Sequence, residues 1–99
     1  MIRLVCKSVI FHSKIDDDLF FKWIKKIKCI SEIEGKGDEL YLYVNEEKVD
    51  ERYLREILGL FCRYNIDMKQ LKLFLNNDNK PWFFDNKEAF WHEKVFFKY

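Results

Sequence analysis

Apolar and polar positions along the chain alternate with two different periods, and the changes of period mark the elements. Residues 2–11 alternate loosely and are rich in Val and Ile, which predicts a strand. Val5, Val9 and Phe11 fall on one face, and Leu4, Cys6 and Ile10 on the other. Apolar residues on both faces predict a position inside a sheet. Asp16, Asp17 and Asp18 then open a helix, whose N-terminal amides and dipole favour negative charge. Phe20, Trp23, Ile24 and Ile27 follow at helical spacing as a buried stripe, with Lys22, Lys25, Lys26 and Lys28 mostly outside it.

From Cys29 the period shortens to two. Residues 30–34 and 40–44 flank Gly35-Lys36-Gly37-Asp38, a turn sequence, so the pair reads as a β-hairpin. Leu40, Leu42 and Val44 are expected to face the core, leaving Tyr41 and Tyr43 on the other face. Asp50 caps a second helix that carries Tyr53, Leu54, Ile57, Leu58 and Phe61 on one side and ends near Asn65. Residues 69–75 admit two readings. As a fourth strand they would complete a ferredoxin-like β-α-β-β-α-β sandwich. Asp67 followed by Gln70, with Met68, Leu71 and Leu75 at helical spacing, favours a helix instead. Residues 76–81 read as a loop, and Asp85 or Asn86 as the cap of a last helix running to Val95, with Phe90, Trp91 and Phe97 as anchors. The predicted class is α+β: a single domain with a β-α-β-β-α core and further C-terminal helices.

Composition narrows the function classes. The 99 residues are 48% hydrophobic and 35% charged with a net charge of +1, which fits one folded domain and excludes both a disordered chain and a basic nucleic-acid tail. No uncharged run exceeds six residues, so no membrane span is predicted. Arg3 and Lys7 interrupt the stretch where a secretory signal needs apolar residues, so the chain is expected in the cytoplasm. Cys6, Cys29 and Cys62 have apolar neighbours and no paired short spacing, so they read as small buried hydrophobes. With His12 and His92 the only histidines, neither a zinc site nor another cofactor is expected. Gly35-Lys36-Gly37 lacks the remaining residues of a phosphate loop, and no Gly-x-Ser-x-Gly elbow occurs. No catalytic group is singled out, and the chain is expected not to be an enzyme.

The near-zero total charge hides an uneven distribution. Residues 19–31 carry a net charge of +4 from four lysines. Residues 32–51 carry eight acids against Lys36 and Lys48, a net of −6. Two readings compete: hairpin exteriors and helix starts hold acids for local reasons, or the stretch steers a basic protein partner, since nucleic acid would be repelled. On the second reading the candidate partner-binding residues are Glu32, Glu34, Asp38, Glu39, Glu46 and Glu47, with Tyr41 or Tyr43 as an apolar anchor. An RNA-binding sheet would instead want a basic residue, Gly and an aromatic in sequence, whereas Gly37 is followed by Asp38 and Glu39.

Three segments of the last third carry a resemblance: Tyr64-Asn65-Ile66-Asp67-Met68-Lys69-Gln70-Leu71, Trp82-Phe83-Phe84-Asp85-Asn86, and Phe90-Trp91-His92-Glu93-Lys94-Val95-Phe96. Together they resemble the C-terminal part of small bacterial immunity proteins of contact-dependent growth inhibition and related polymorphic toxin systems. The resemblance implies a cytosolic protein that binds the toxin domain of its own strain and blocks it without catalysis. Where such a toxin is a nuclease, its substrate groove is basic, and an acidic hairpin would cover it. Interfaces of this kind vary between members, so no interface residue is carried over. The alternative class is a small nucleic-acid-binding regulator using the basic side of the first helix, Lys22, Lys25, Lys26 and Lys28.

Overall fold

The computed structural model describes residues 1–97. Its elements are β1 (Ile2–Lys7), α1 (Lys14–Lys26), β2 (Ile30–Lys36), β3 (Glu39–Val44), α2 (Glu51–Arg63), α3 (Lys80–Phe83) and α4 (His92–Phe96), with 3-10 helices at Glu46–Lys48 and Lys69–Phe74. The three strands form one antiparallel sheet in the order β1-β3-β2, and helices pack on one of its faces. The fold is α+β, as the residue pattern predicts.

Two expectations about β1 are corrected. It is an edge strand, and β3 holds the middle. The strand also stops at Lys7, because Ser8 turns to φ 51° and ties its N–H and Oγ to the O and Oδ2 of Asp38, both at 2.8 Å. Val9 and Phe11 therefore leave the sheet and pack against the core from a loop, while Ile10 points to solvent. Within the strand, Leu4 and Cys6 are buried, and Arg3, Val5 and Lys7 occupy the opposite face.

In β2, Ile30 and Ile33 both pack against the core, although a spacing of three cannot keep two residues on one face of a regular strand. A bulge at Ser31 resolves the conflict, for Ile30 pairs with Val44 and Glu32 already pairs with Tyr43. The connection to β3 is the two-residue turn Gly37-Asp38, with Gly37 at φ 62°, a conformation that favours glycine.

The helix ends are set by side chains. Ser13, three residues before Asp16, is the cap of α1 and accepts from the Asp16 N–H at 3.1 Å. Asp50 caps α2 through the Tyr53 N–H at 2.9 Å. The far end of α2 is closed by Asn65 at φ 56°, where the Asn65 and Ile66 N–H groups bond the carbonyls of Cys62 and Phe61. That is the paired C-terminal closure in which Asn substitutes for Gly.

Residues 69–74 form a 3-10 helix, so the sheet has three strands and the ferredoxin-like alternative does not hold. Asp67 accepts from the Lys69 N–H at 3.0 Å. Gln70 turns toward β1: its Nε2 donates to the Val5 carbonyl and its Oε1 accepts from the Val5 N–H, each at 2.8 Å. A side-chain amide thus supplies the pairing that a fourth strand would have given the outer edge of β1. The sequence 76–81 is a loop only in part. Asn76 and Asn79 exchange backbone-to-side-chain bonds at 2.9 and 2.8 Å, and Pro81 stands in the first turn of α3. The last helix starts at His92 rather than near Asn86, and neither Asp85 nor Asn86 caps it. Of the C-terminal aromatics Phe83 and Trp91 are buried and close the core, whereas Phe90 and Phe97, expected as anchors, are exposed; Trp91 Nε1 donates to the Phe83 carbonyl at 2.9 Å, and Arg55 covers Trp82 at 4.3 Å.

Gln70→Ala leaves the Val5 peptide without either partner at a partly buried edge. Urea unfolding is expected to show a loss of about 1–3 kcal/mol. Amide exchange at Val5 is expected to rise with it; unchanged stability would contradict the strand-like role of Gln70.

Candidate functional site: the open face of the sheet

The register brings three rows of side chains onto the face away from the helices. Arg3, Tyr43 and Glu32 form one, Val5, Tyr41 and Glu34 the next, and Lys7, Glu39 and Lys36 the third. No helix of the described residues covers them. Arg3, Lys7, Glu32, Glu34 and Lys36 are exposed, and Val5, Glu39, Tyr41 and Tyr43 are half-buried by their neighbours.

The two tyrosines are fixed by carboxylates. Tyr41 Oη donates to Glu39 Oε1 and Tyr43 Oη to Glu34 Oε1, each at 2.8 Å. The Arg3 guanidinium lies over the Tyr41 ring, 4.6 Å from its centroid. Hydrogen bonding to Glu39 raises the Tyr41 phenol above its ordinary value, and bonding to Glu34 does the same for Tyr43. The result is two rings with set orientations, framed by charged groups.

Of the eight residues singled out from the sequence, this face unites Glu32, Glu34, Glu39, Tyr41 and Tyr43. Asp38 sits in the turn at one end of the hairpin, bonded to Ser8. Glu46 and Glu47 lie beyond the other end of β3, roughly 20 Å away along the strand. Glu46 pairs there with the chain's N-terminal ammonium at 3.3 Å. The segmental sum of −6 therefore does not describe one acidic surface. On the open face, Arg3 and Lys7 of β1 and Lys36 of β2 match the three glutamates, and the face itself is neutral. Sequence reasoning placed Val5 with Val9 and Phe11 and so missed Arg3 and Lys7, although Arg3, Val5 and Lys7 alternate with Leu4 and Cys6 at a period of two and carry that information.

The remaining chemistry-bearing residues are dispersed. Burial pushes the Cys6 thiol up to about 12 and the Cys29 thiol up to about 11, which makes both poor nucleophiles; Cys62 is half-buried. His12 is exposed beside the start of α1. His92 lies with its ring 5.8 Å from Phe84 and 5.4 Å from Phe96, and its Nε2 is enclosed without a hydrogen-bond partner. Among the described residues no group of three His, Cys, Asp or Glu is placed to hold a metal ion, and no helix is long and apolar enough to cross a membrane. Comparison with protein-family models, curated proteins and solved structures finds no match to this chain.

The tyrosine–carboxylate pairs make a resolved prediction. A phenol raised by its partner keeps that bond below the unfolded value near 10 and loses it as pH rises through the higher folded value. In a pH titration of 13C-labelled tyrosine followed by NMR, Glu34→Gln is expected to lower the titration of Tyr43 most, with a smaller effect on Tyr41 through the lost charge, and Glu39→Gln that of Tyr41 alone. A response of Tyr43 to Glu39→Gln, or no response of either phenol to the loss of its partner, would contradict the pairing.

Proposed function

We propose that the chain is an immunity protein that binds and occludes the toxin domain of a contact-dependent growth inhibition or related polymorphic toxin system in the cytoplasm, without catalysis. The observation that carries this reading is the one-sided sheet. A face bearing two oriented tyrosines and an arginine, residue types enriched at protein interfaces, is left uncovered where a helix would otherwise pack. The resemblance of residues 64–71, 82–86 and 90–96 to the C-terminal part of such proteins supports the same class.

The two parts of the candidate surface divide the work. Tyr41 and Tyr43, framed by Glu32, Glu34 and Glu39, form the centre of the contact, where aromatic side chains bury area with little entropy to lose. Glu46 and Glu47 stand at its end, solvent-exposed, where charge acts on the rate of encounter. A nuclease toxin with a basic groove would be met by these acids first.

Expressed with a tag in its own host and purified at low salt after nuclease digestion, the protein is expected to carry one stoichiometric protein, a large secreted protein or its C-terminal fragment. Nucleic acid in the undigested control with no protein partner would refute the reading. With that partner in hand, Tyr43→Ala is expected to weaken binding by about tenfold or more. Reversing Glu46 and Glu47 to Lys is expected to slow association at low salt by about tenfold with little change in dissociation. Unchanged kinetics would remove these two acids from the site.

A further inference from the structure

On the far side of the helical layer, α1 presents a stripe that the core does not use. Ile15, Leu19, Lys22 and Lys26 follow one another at i, i+4, i+7 and i+11, and all are exposed, Ile15 at 70% and Leu19 at 53%. Large aliphatic side chains at that exposure on one helix face form a patch that water solvates poorly. The stripe is apolar toward the start of α1 and basic toward its end.

The stripe is not flat. Asp16, Leu19, Lys22, Trp23 and Lys26 border a groove of about 430 Å³ whose other wall is Arg63 and Tyr64 at the end of α2. Asp16, Arg63 and Tyr64 also line a second hollow of about 590 Å³, which continues past Ile10, exposed at 71%. Trp23 is held in the wall by Nε1 donating to Glu56 at 2.9 Å, and Tyr64 by its hydroxyl donating to Asp16 Oδ1 at 3.0 Å.

Charge in this region is unbalanced in a specific way. Each nearby carboxylate already has a partner: Asp16 accepts from the His12 N–H and Tyr64, Asp18 from Lys14, and Glu56 from Trp23. No carboxylate of the described residues lies within 4.0 Å of Lys22, Lys26 or Arg63. These three cations line one groove against a single carboxylate, Asp16, and leave it with an excess of positive charge.

We infer that the α1–α2 groove is a second docking surface, distinct from the open sheet face, which takes an amphipathic acidic segment of a protein. The segment lays apolar side chains over Ile15, Leu19 and Ile10, and sets carboxylates against Lys22, Lys26 and Arg63. A nucleic-acid backbone fits less well, for it gains nothing from covering three aliphatic side chains.

The test is selection from a random 12-residue peptide display library on the immobilised full chain at low salt. Selected sequences are expected to combine Asp or Glu with Leu, Ile or Phe. Their binding is expected to fall at least tenfold in K22E/K26E and in I15S/L19S, with no change in E32K/E34K. All six positions are exposed, so circular dichroism is expected to show intact folding in every variant. A library that yields no binder, binders without acids, or acidic binders indifferent to K22E/K26E would overturn the inference. So would tighter retention, through the same lysines, of a 20-nucleotide single strand or of phosphatidylserine vesicles.

Discussion

The register of β3 is the constraint on which the rest depends. Leu42 and Val44, with Leu40 beside them, point into the helical layer, and Glu39, Tyr41 and Tyr43 point out. A slip of one residue would exchange the two sets, burying two phenols and a carboxylate and exposing the centre of the core. β3 pairs with both other strands, so one register fixes which side of all three is core and which is surface. The bulge at Ser31 and the two-residue turn at Gly37 are the local devices that let β2 follow it.

A three-stranded sheet has two edges and two faces, and this chain closes them unequally. One face is filled by α1, α2 and the aromatic C-terminal elements around Phe83 and Trp91. One edge is closed at Val5 by the amide of Gln70. Side-chain amides, caps and rings do the work that further strands would do in a larger domain, which suits a chain with limited core to bury. The opposite face remains, furnished with oriented tyrosines instead of a covering helix.

Elements whose signal is local were readable from residues alone. The α1 stripe, the hairpin and the Asp50 cap follow from spacing and chemistry within a few positions, and the helical reading of residues 69–74 followed from Asp67 and Gln70. Strand order was not readable, because the apolar residues after Ser8 that suggested an interior strand serve the core from a loop. The second role of Gln70 lies in a contact 65 residues away, which no local pattern announces. The candidate face was half readable: the hairpin supplied Glu32, Glu34, Glu39, Tyr41 and Tyr43, but Arg3 and Lys7 join them only once β1 is paired with β3. That pairing turns an acidic segment into a neutral surface.

The proposed protein-binding surface is the uncovered face of the sheet. Hydroxyl-radical footprinting of the protein, free and in the complex recovered from its host, tests it directly by mass spectrometry. Tyr41 and Tyr43 are expected to oxidise in the free protein and to be protected in the complex. Equal oxidation of both tyrosines in the two states, with protection elsewhere, would contradict it.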